Sequence, residues 1–188
     1  FETLAKAVQL CRANGLPGLR CVIRTPHDVE IDQPGLEVLH EQVSWTQLRE
    51  AYRQANVVVL PLFDSLHPGG INTLLEAMAI GRPVVLSDSR GIRDYVCDRE
   101  TARVVEPGSP AMLAAAIGEL LADRDAAAAM GMRARAWVEK HCRSRVYAEA
   151  LARHLRDAYV KVFPAKPLPA DQTRNVSAPC PDECETLT

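Results

Sequence analysis

Two adjacent glycines, Gly69 and Gly70, stand directly before an apolar-periodic run that carries one early acid, Glu76, and then drops into Pro83-Val84-Val85-Leu86-Ser87. The chemistry this order permits is the recognition of a phosphorylated ligand. Glycines let the backbone approach a ligand closely. The first amides of the helix that follows have no partner within the helix and carry the positive end of its dipole, so a phosphate fits there. Glu76 falls about one turn into that helix, within reach of a ribose hydroxyl pair while the amides hold the phosphates. His67, in the same loop, is a candidate donor to phosphate or sugar, with Asp64 and Ser65 weaker candidates. Each residue also has a plainer reading: a solvated acid at a helix start, a tight turn, a surface histidine. Their combination favours the nucleotide site.

The elements that must position these residues are legible from periodicity. Asn56-Val57-Val58-Val59-Leu60-Pro61 is a short apolar run of the kind buried on both faces of a parallel sheet. It predicts strand, glycine loop, helix from about 71 to 80, and strand at 83–87, with the loop at the carboxyl end of a strand, where open α/β sheets hold ligands. Upstream, a helix over 1–13 shows Leu4, Ala7, Val8 and Cys11 at helical spacing and stops at Asn14-Gly15. Strands are expected at 19–24 and 36–39. Ser44 then caps a helix, with Gln47 in the capping-box position and Trp45, Leu48 and Tyr52 as its buried stripe. Downstream follow a short helix within 91–96 and a strand at 102–105. Ser109-Pro110 opens a helix with Leu113, Ala116, Ile117, Leu120 and Leu121 on one face. Two more helices are expected near 125–140 and 144–160, the last with a stripe of Val146, Ala150, Leu151, Leu155, Ala158 and Tyr159. The alternation argues for an α/β, Rossmann-like three-layer domain with a mostly parallel sheet and right-handed crossovers.

At 188 residues the chain suits one domain, expected over 1–163, followed by a Pro-rich disordered tail over 164–188. The net charge of −2, spread without a basic aromatic face, sets nucleic acid aside as a partner. No apolar stretch nears the roughly 20 residues that cross a bilayer, and the first residues lack a signal-peptide plan, so a soluble cytoplasmic protein is expected. Cysteines 11, 21, 97 and 142 read as reduced, small apolar fillers rather than a disulfide frame. Cys180 and Cys184 lie in the tail without a second ligand pair, which makes a solvated tail a better reading than a metal site. Asn175-Val176-Ser177 matches a glycosylation acceptor and reads as chance in such a chain.

The stretch Leu74-Leu-Glu-Ala-Met-Ala-Ile-Gly-Arg-Pro-Val-Val-Leu-Ser-Asp88, with Leu48–Pro61, Arg90–Val96 and Val104–Ser109 in order around it, resembles the carboxyl-terminal domain of the two-Rossmann-domain (GT-B) glycosyltransferases, in particular retaining family 4. The resemblance runs from about residue 1 to 155. It implies a donor site for an NDP-sugar: the acid matching Glu76 holds the ribose, and the backbone of Gly69, Gly70, Ile71, Asn72 and Thr73 holds the diphosphate. The loops after the strands ending near Arg24 and near Glu41 to Ser44 would cradle the base. It implies no cofactor and no metal, helix dipole and basic side chains offsetting the leaving charge. It also implies an acceptor domain that is missing here, along with the domain's first strand and its basic pair. The chain is then expected to be inactive alone, with peripheral membrane association through the missing domain left open. The family commonly carries a second acid eight residues before Glu76, where this chain has Pro68; Asp64 or His67 is the substitute from the same loop. Arg90 and Arg93 are candidates to approach the diphosphate, though surface positions suit them better, and Arg82 suits a helix end. Two other readings stand beside the transferase: a sugar-nucleotide epimerase of the same architecture, and a nucleotide-sugar-binding module without chemistry.

Overall fold

The computed structural model describes residues 1–163. The expectations for the tail, for Cys180 and Cys184 and for Asn175 lie outside the described residues. The chain divides into two units at Arg143 and Ser144. The first begins with helix α1 (Glu2–Ala13), strands β1 (Cys21–Arg24) and β2 (Leu36–Leu39), helix α2 (Trp45–Gln54) and strand β3 (Val58–Leu60). It continues with α3 (Ile71–Ala79), β4 (Val84–Ser87), a 3-10 turn at Arg93–Tyr95, β5 (Arg103–Val105), α4 (Pro110–Ala122) and α5 (Arg124–His141). The second unit contributes the helix α6 (Ser144–Val162).

Among the described residues all strand pairing is parallel, as the alternation of elements predicts, but the strands form two ladders, β1-β2 and β3-β4-β5. Val38 of β2 and Val59 of β3 pack into the same apolar cluster, so the ladders share a core without sharing a hydrogen bond. β4 is the centre of the larger ladder and all four of its residues are buried. Its side chains alternate between two cores, as a pleated strand covered on both faces requires. Val85 faces the cluster built by α1 and α4 around Ile23, Leu36 and Val105; Val84 and Leu86 face the one built by α3 around Val58, Leu60 and Ala134.

The helix boundaries follow local chemistry. Ser44 accepts from the Gln47 amide while the Gln47 side chain accepts from the Ser44 amide, the reciprocal capping box expected at α2. Ser109 caps α4 with Pro110 at its first position. Two expectations need correction. Trp45 is in phase with Leu48 and Tyr52 but is 78% exposed, because the first turn of α2 borders an open cavity rather than packed core. Cys97 is exposed, so it does not act as an apolar filler as buried Cys11 does; the four described cysteines are free.

Arg103, beginning β5, is a buried cation held by Asp98 at 2.6 Å and Glu119 at 3.0 Å, which ties the strand to α4. Such a charge is tolerated in a core only when paired on both sides in this way.

Helix α5 crosses α3 where Gly131 meets the turn after α3. A β-carbon on Gly131 would lie 2.2 Å from the Gly81 carbonyl oxygen, a backbone atom that cannot swing aside. Gly131→Ala is expected to destabilise the first unit by about 2 to 3 kcal/mol through overpacking. Gly118, inside α4 with nothing within 4 Å of such a carbon, gives the control: Gly118→Ala is expected to be neutral or to stabilise by up to about 1 kcal/mol. Urea titrations of both variants check the pair, and equal stabilities would contradict the packing account.

Candidate functional site

The loop between β3 and α3 is shaped by its own short hydrogen bonds and by its neighbour. Gly69 donates to the His67 carbonyl at 2.7 Å, Ile71 donates to the Pro68 carbonyl at 3.2 Å, and the first bond of α3 runs from the Leu74 amide to Gly70. Gly70 is the N-cap with φ +80, a left-handed conformation that favours glycine, and the Leu60 and Leu62 side chains close in at 3.2 and 3.1 Å from where its β-carbon would stand. At Gly69 a β-carbon would meet only the His67 ring, Nδ1 at 3.9 Å, so of the two glycines it is the less crowded and the one that leaves room for a ligand. Among the described residues no side chain caps α3.

This arrangement narrows the expected set of donors. The Gly69 and Ile71 amides are both engaged inside the loop, which takes them out of the open set. The Asn72 and Thr73 amides precede the first intrahelical bond and belong to the exposed first turn, at the positive end of a helix of nine residues.

One turn further on, Glu76 is half-buried and its Oε2 accepts a hydrogen bond from the Tyr52 hydroxyl at 2.9 Å. Tyr52 comes from α2 and is 9% exposed. Burial pushes its phenol well above the usual range, and the Glu76 carboxylate adds to that. Glu76 lines a cavity of about 260 Å³ with Trp45, Leu48, Arg49, Tyr52, Ala79 and Ile80. The contact between Tyr52 and Glu76 escaped the sequence reading, in which Tyr52 was only a core residue. The available signal was an aromatic with a polar tip on the stripe of the preceding helix, since a buried phenol seeks a partner.

The other expected residues separate. His67 is exposed, its amide donating to the Ser65 hydroxyl at 3.0 Å, and its ring stands beside the glycines. Asp64, expected as a substitute acid, is engaged: it accepts from the Arg90 amide at 3.3 Å and from Arg90 Nε at 3.1 Å, and these bonds hold its carboxyl below the usual range. Arg93 binds Asp88 with both oxygens at 2.6 Å. Both arginines therefore have carboxylate partners, so a ligand would have to compete for them. The Ser44 hydroxyl is committed to the capping box. Arg82 Nη1 donates at 3.3 Å to the carbonyl of Ala55, the C-cap of α2, a helix-end role but at α2 rather than at the end of the helix it follows; its Nε is buried without a partner among the described residues.

What fixes the glycine loop is the segment after β4. The Gly91 amide donates to the Ser65 carbonyl at 2.7 Å, Ser89 Oγ donates to the same carbonyl at 3.2 Å, and the Ser65 amide donates to Ser89 Oγ at 3.3 Å. Ser89 is buried, so these bonds are shielded from competing water. A β-carbon on Gly91 would lie 2.4 Å from the His67 carbonyl oxygen. Gly91→Ala is thus expected to push the loop off its seat: in hydrogen exchange, the amides of residues 65–67, 69 and 70 should exchange at least about tenfold faster while those of β4 keep their protection. An unchanged loop would contradict the close approach.

The description "Glycosyl transferases group 1" belongs to a family model that matches residues 36–137, more than half of the chain. A GDP-mannose-dependent alpha-(1-6)-phosphatidylinositol monomannoside mannosyltransferase of Mycobacterium tuberculosis is 43% identical over 82 residues, covering 44% of this chain and 21% of that protein. A D-inositol 3-phosphate glycosyltransferase of Nocardia farcinica is 37% identical over 88 residues, covering 47% and 19%. The chain thus spans only about a fifth of the length of these curated relatives. Among solved structures, the C-terminal domain of a glycosyl transferase group 1 family protein, LpcC of Francisella tularensis, superposes with a TM-score of 0.64 at 16% identity, covering 76% of this chain and 78% of that one. Anabaena HepE in complex with UDP-glucose gives 0.66 at 20% identity, covering 83% and 44%. These structural likenesses carry the fold, an α/β domain with parallel sheets like the carboxyl-terminal domains of GT-B glycosyltransferases. On the matched family model, the chain belongs to the glycosyl transferases group 1 family.

Proposed function

We propose that this chain is the donor-binding, carboxyl-terminal domain of a retaining, metal-independent glycosyltransferase of family 4, which takes a sugar from an NDP-sugar and passes it to an acceptor held by a second domain. The observation that carries the reading is the placement of Glu76. Glu76 lies one turn after the Asn72 and Thr73 amides of the helix start that follows the left-handed Gly70, and the same residue lines the cavity between α2 and α3. A nucleoside diphosphate needs both halves of that arrangement. The diphosphate carries negative charge that suits the Gly69 side of the loop and the Asn72 and Thr73 amides. The ribose diol offers two donors that suit a carboxylate.

His67 takes the part of the missing acid at Pro68, since its ring stands free beside the glycines while Asp64 is engaged by Arg90. The leaving diphosphate's growing charge is stabilised by preset amide dipoles, without a metal ion. Family membership and the donor named for one mannosyltransferase relative support NDP-sugar use. We divide the chain into this domain over 1–163 and a tail over 164–188, place the protein in the cytoplasm, and expect the isolated chain not to turn over.

Calorimetric titration of the chain with UDP, GDP and ADP tests the reading. The best-bound nucleotide is expected to lose about 1.5 to 3 kcal/mol on Glu76→Ala, the worth of hydrogen bonds to a charged group. Affinity unchanged by that substitution would contradict it.

A further inference from the structure

The reading of Glu76 as a ribose ligand leaves open what sets its orientation. A glutamate side chain on a helix surface has three rotatable bonds and samples many rotamers, so an unsupported carboxylate would meet a diol only part of the time. Here one of its two oxygens is fixed. Oε2 accepts from Tyr52 at 2.9 Å, and Tyr52 sits in the core beside Val58, Leu74 and Met78. The two residues come from different helices, α2 and α3, so the bond also spans the groove that forms the cavity.

We propose that Tyr52 is a positioning residue for the donor site: it pins Glu76 Oε2 from the core side so that Oε1 is presented to the vicinal diol of a ribose. This rests on the reading of Glu76 given above. Three features argue for it over an incidental core contact. The partner is a neutral phenol even though Arg49 lines the same cavity; a guanidinium would saturate both oxygens in a fork, whereas a phenol occupies one and leaves the other's lone pairs open. The phenol stays a donor throughout the physiological range, since burial and then the Glu76 charge hold it protonated. Tyr52 is also anchored: its ring is buried, so its hydroxyl has little freedom to follow Glu76 elsewhere.

The test is a set of titrations of the chain with GDP, UDP and ADP against their 2′-deoxy counterparts, for wild type, Tyr52→Phe and Glu76→Ala, with melting curves for each. Tyr52→Phe keeps the ring and removes only the hydroxyl. It is expected to stay folded, with a melting temperature within a few degrees of wild type, and to weaken ribonucleotide binding about tenfold. The preference for ribose over deoxyribose should fall with it, from about tenfold towards about twofold, because only the diol uses the oriented oxygen. A purely structural role would weaken both sugars equally and leave their ratio intact, and that result overturns the proposal. Unchanged affinity in Tyr52→Phe alongside a loss in Glu76→Ala overturns the positioning role alone. Unchanged affinity in Glu76→Ala overturns the ribose reading and this inference with it.

Discussion

The two loops that leave β3 and β4 at their carboxyl ends hold each other by hydrogen bonds to the backbone of Ser65, from the Gly91 amide and through the Ser89 hydroxyl, and the site depends on that constraint. A loop rich in glycine and carrying Pro68 has no regular structure of its own to define where its amides point. The Ser65 carbonyl accepts from both the Gly91 amide and the Ser89 hydroxyl, the latter buried, so the loop is fixed from outside itself. Gly91 allows this because its missing side chain lets the His67 carbonyl come close. The loop after β4 is in turn set by the burial of every residue of that strand. Core packing on both faces of β4 is therefore transmitted to the glycine loop through two residues, Ser89 and Gly91.

Charge follows the same logic. Asp64 with Arg90 and Asp88 with Arg93 place pairs of opposite sign across and within these loops. Both pairs are largely solvent-exposed, where an ion pair contributes little to stability. Their effect at the site is to occupy the charged side chains nearest the glycines. On the loop side, backbone dipole at the start of α3 and the ring of His67 can meet an anion, while Glu76, which lines the cavity together with Arg49, is held by a neutral partner. Main-chain dipoles cannot be displaced by rotamer changes, which suits a site that must stabilise charge without reorganising.

Periodicity made most of the fold legible. The run from 56 to 61 and the residues 83 to 87 announced buried parallel strands because strands covered on both faces lack a polar alternation, and the Ser44 and Ser109 caps were readable because their chemistry is local. The placement of Gly69, Gly70 and Glu76 around a helix start was readable for the same reason. Contacts between elements distant in sequence were not. Tyr52 and Glu76 are 24 residues apart, and nothing in either segment encodes which turn of α2 faces which turn of α3. Trp45 shows the converse: its phase was right, but exposure depends on what covers the first turn of α2, and that is a cavity. The engagement of the Ile71 amide by the Pro68 carbonyl was likewise hidden, because it depends on the turn geometry that the left-handed Gly70 imposes.

In the proposed complex a nucleoside diphosphate lies with its phosphates against the start of α3 and its ribose against Glu76. Backbone amide shifts of the isotope-labelled chain, followed by nuclear magnetic resonance during titration with GDP, UDP and ADP, read this most directly. The account predicts that the largest shifts fall at Gly69, Gly70, Asn72 and Thr73, with a second group around Glu76 and Tyr52, and that β5 and α5 stay still. Shifts centred away from the glycine loop, or a saturable response that leaves these four amides unmoved, would contradict it.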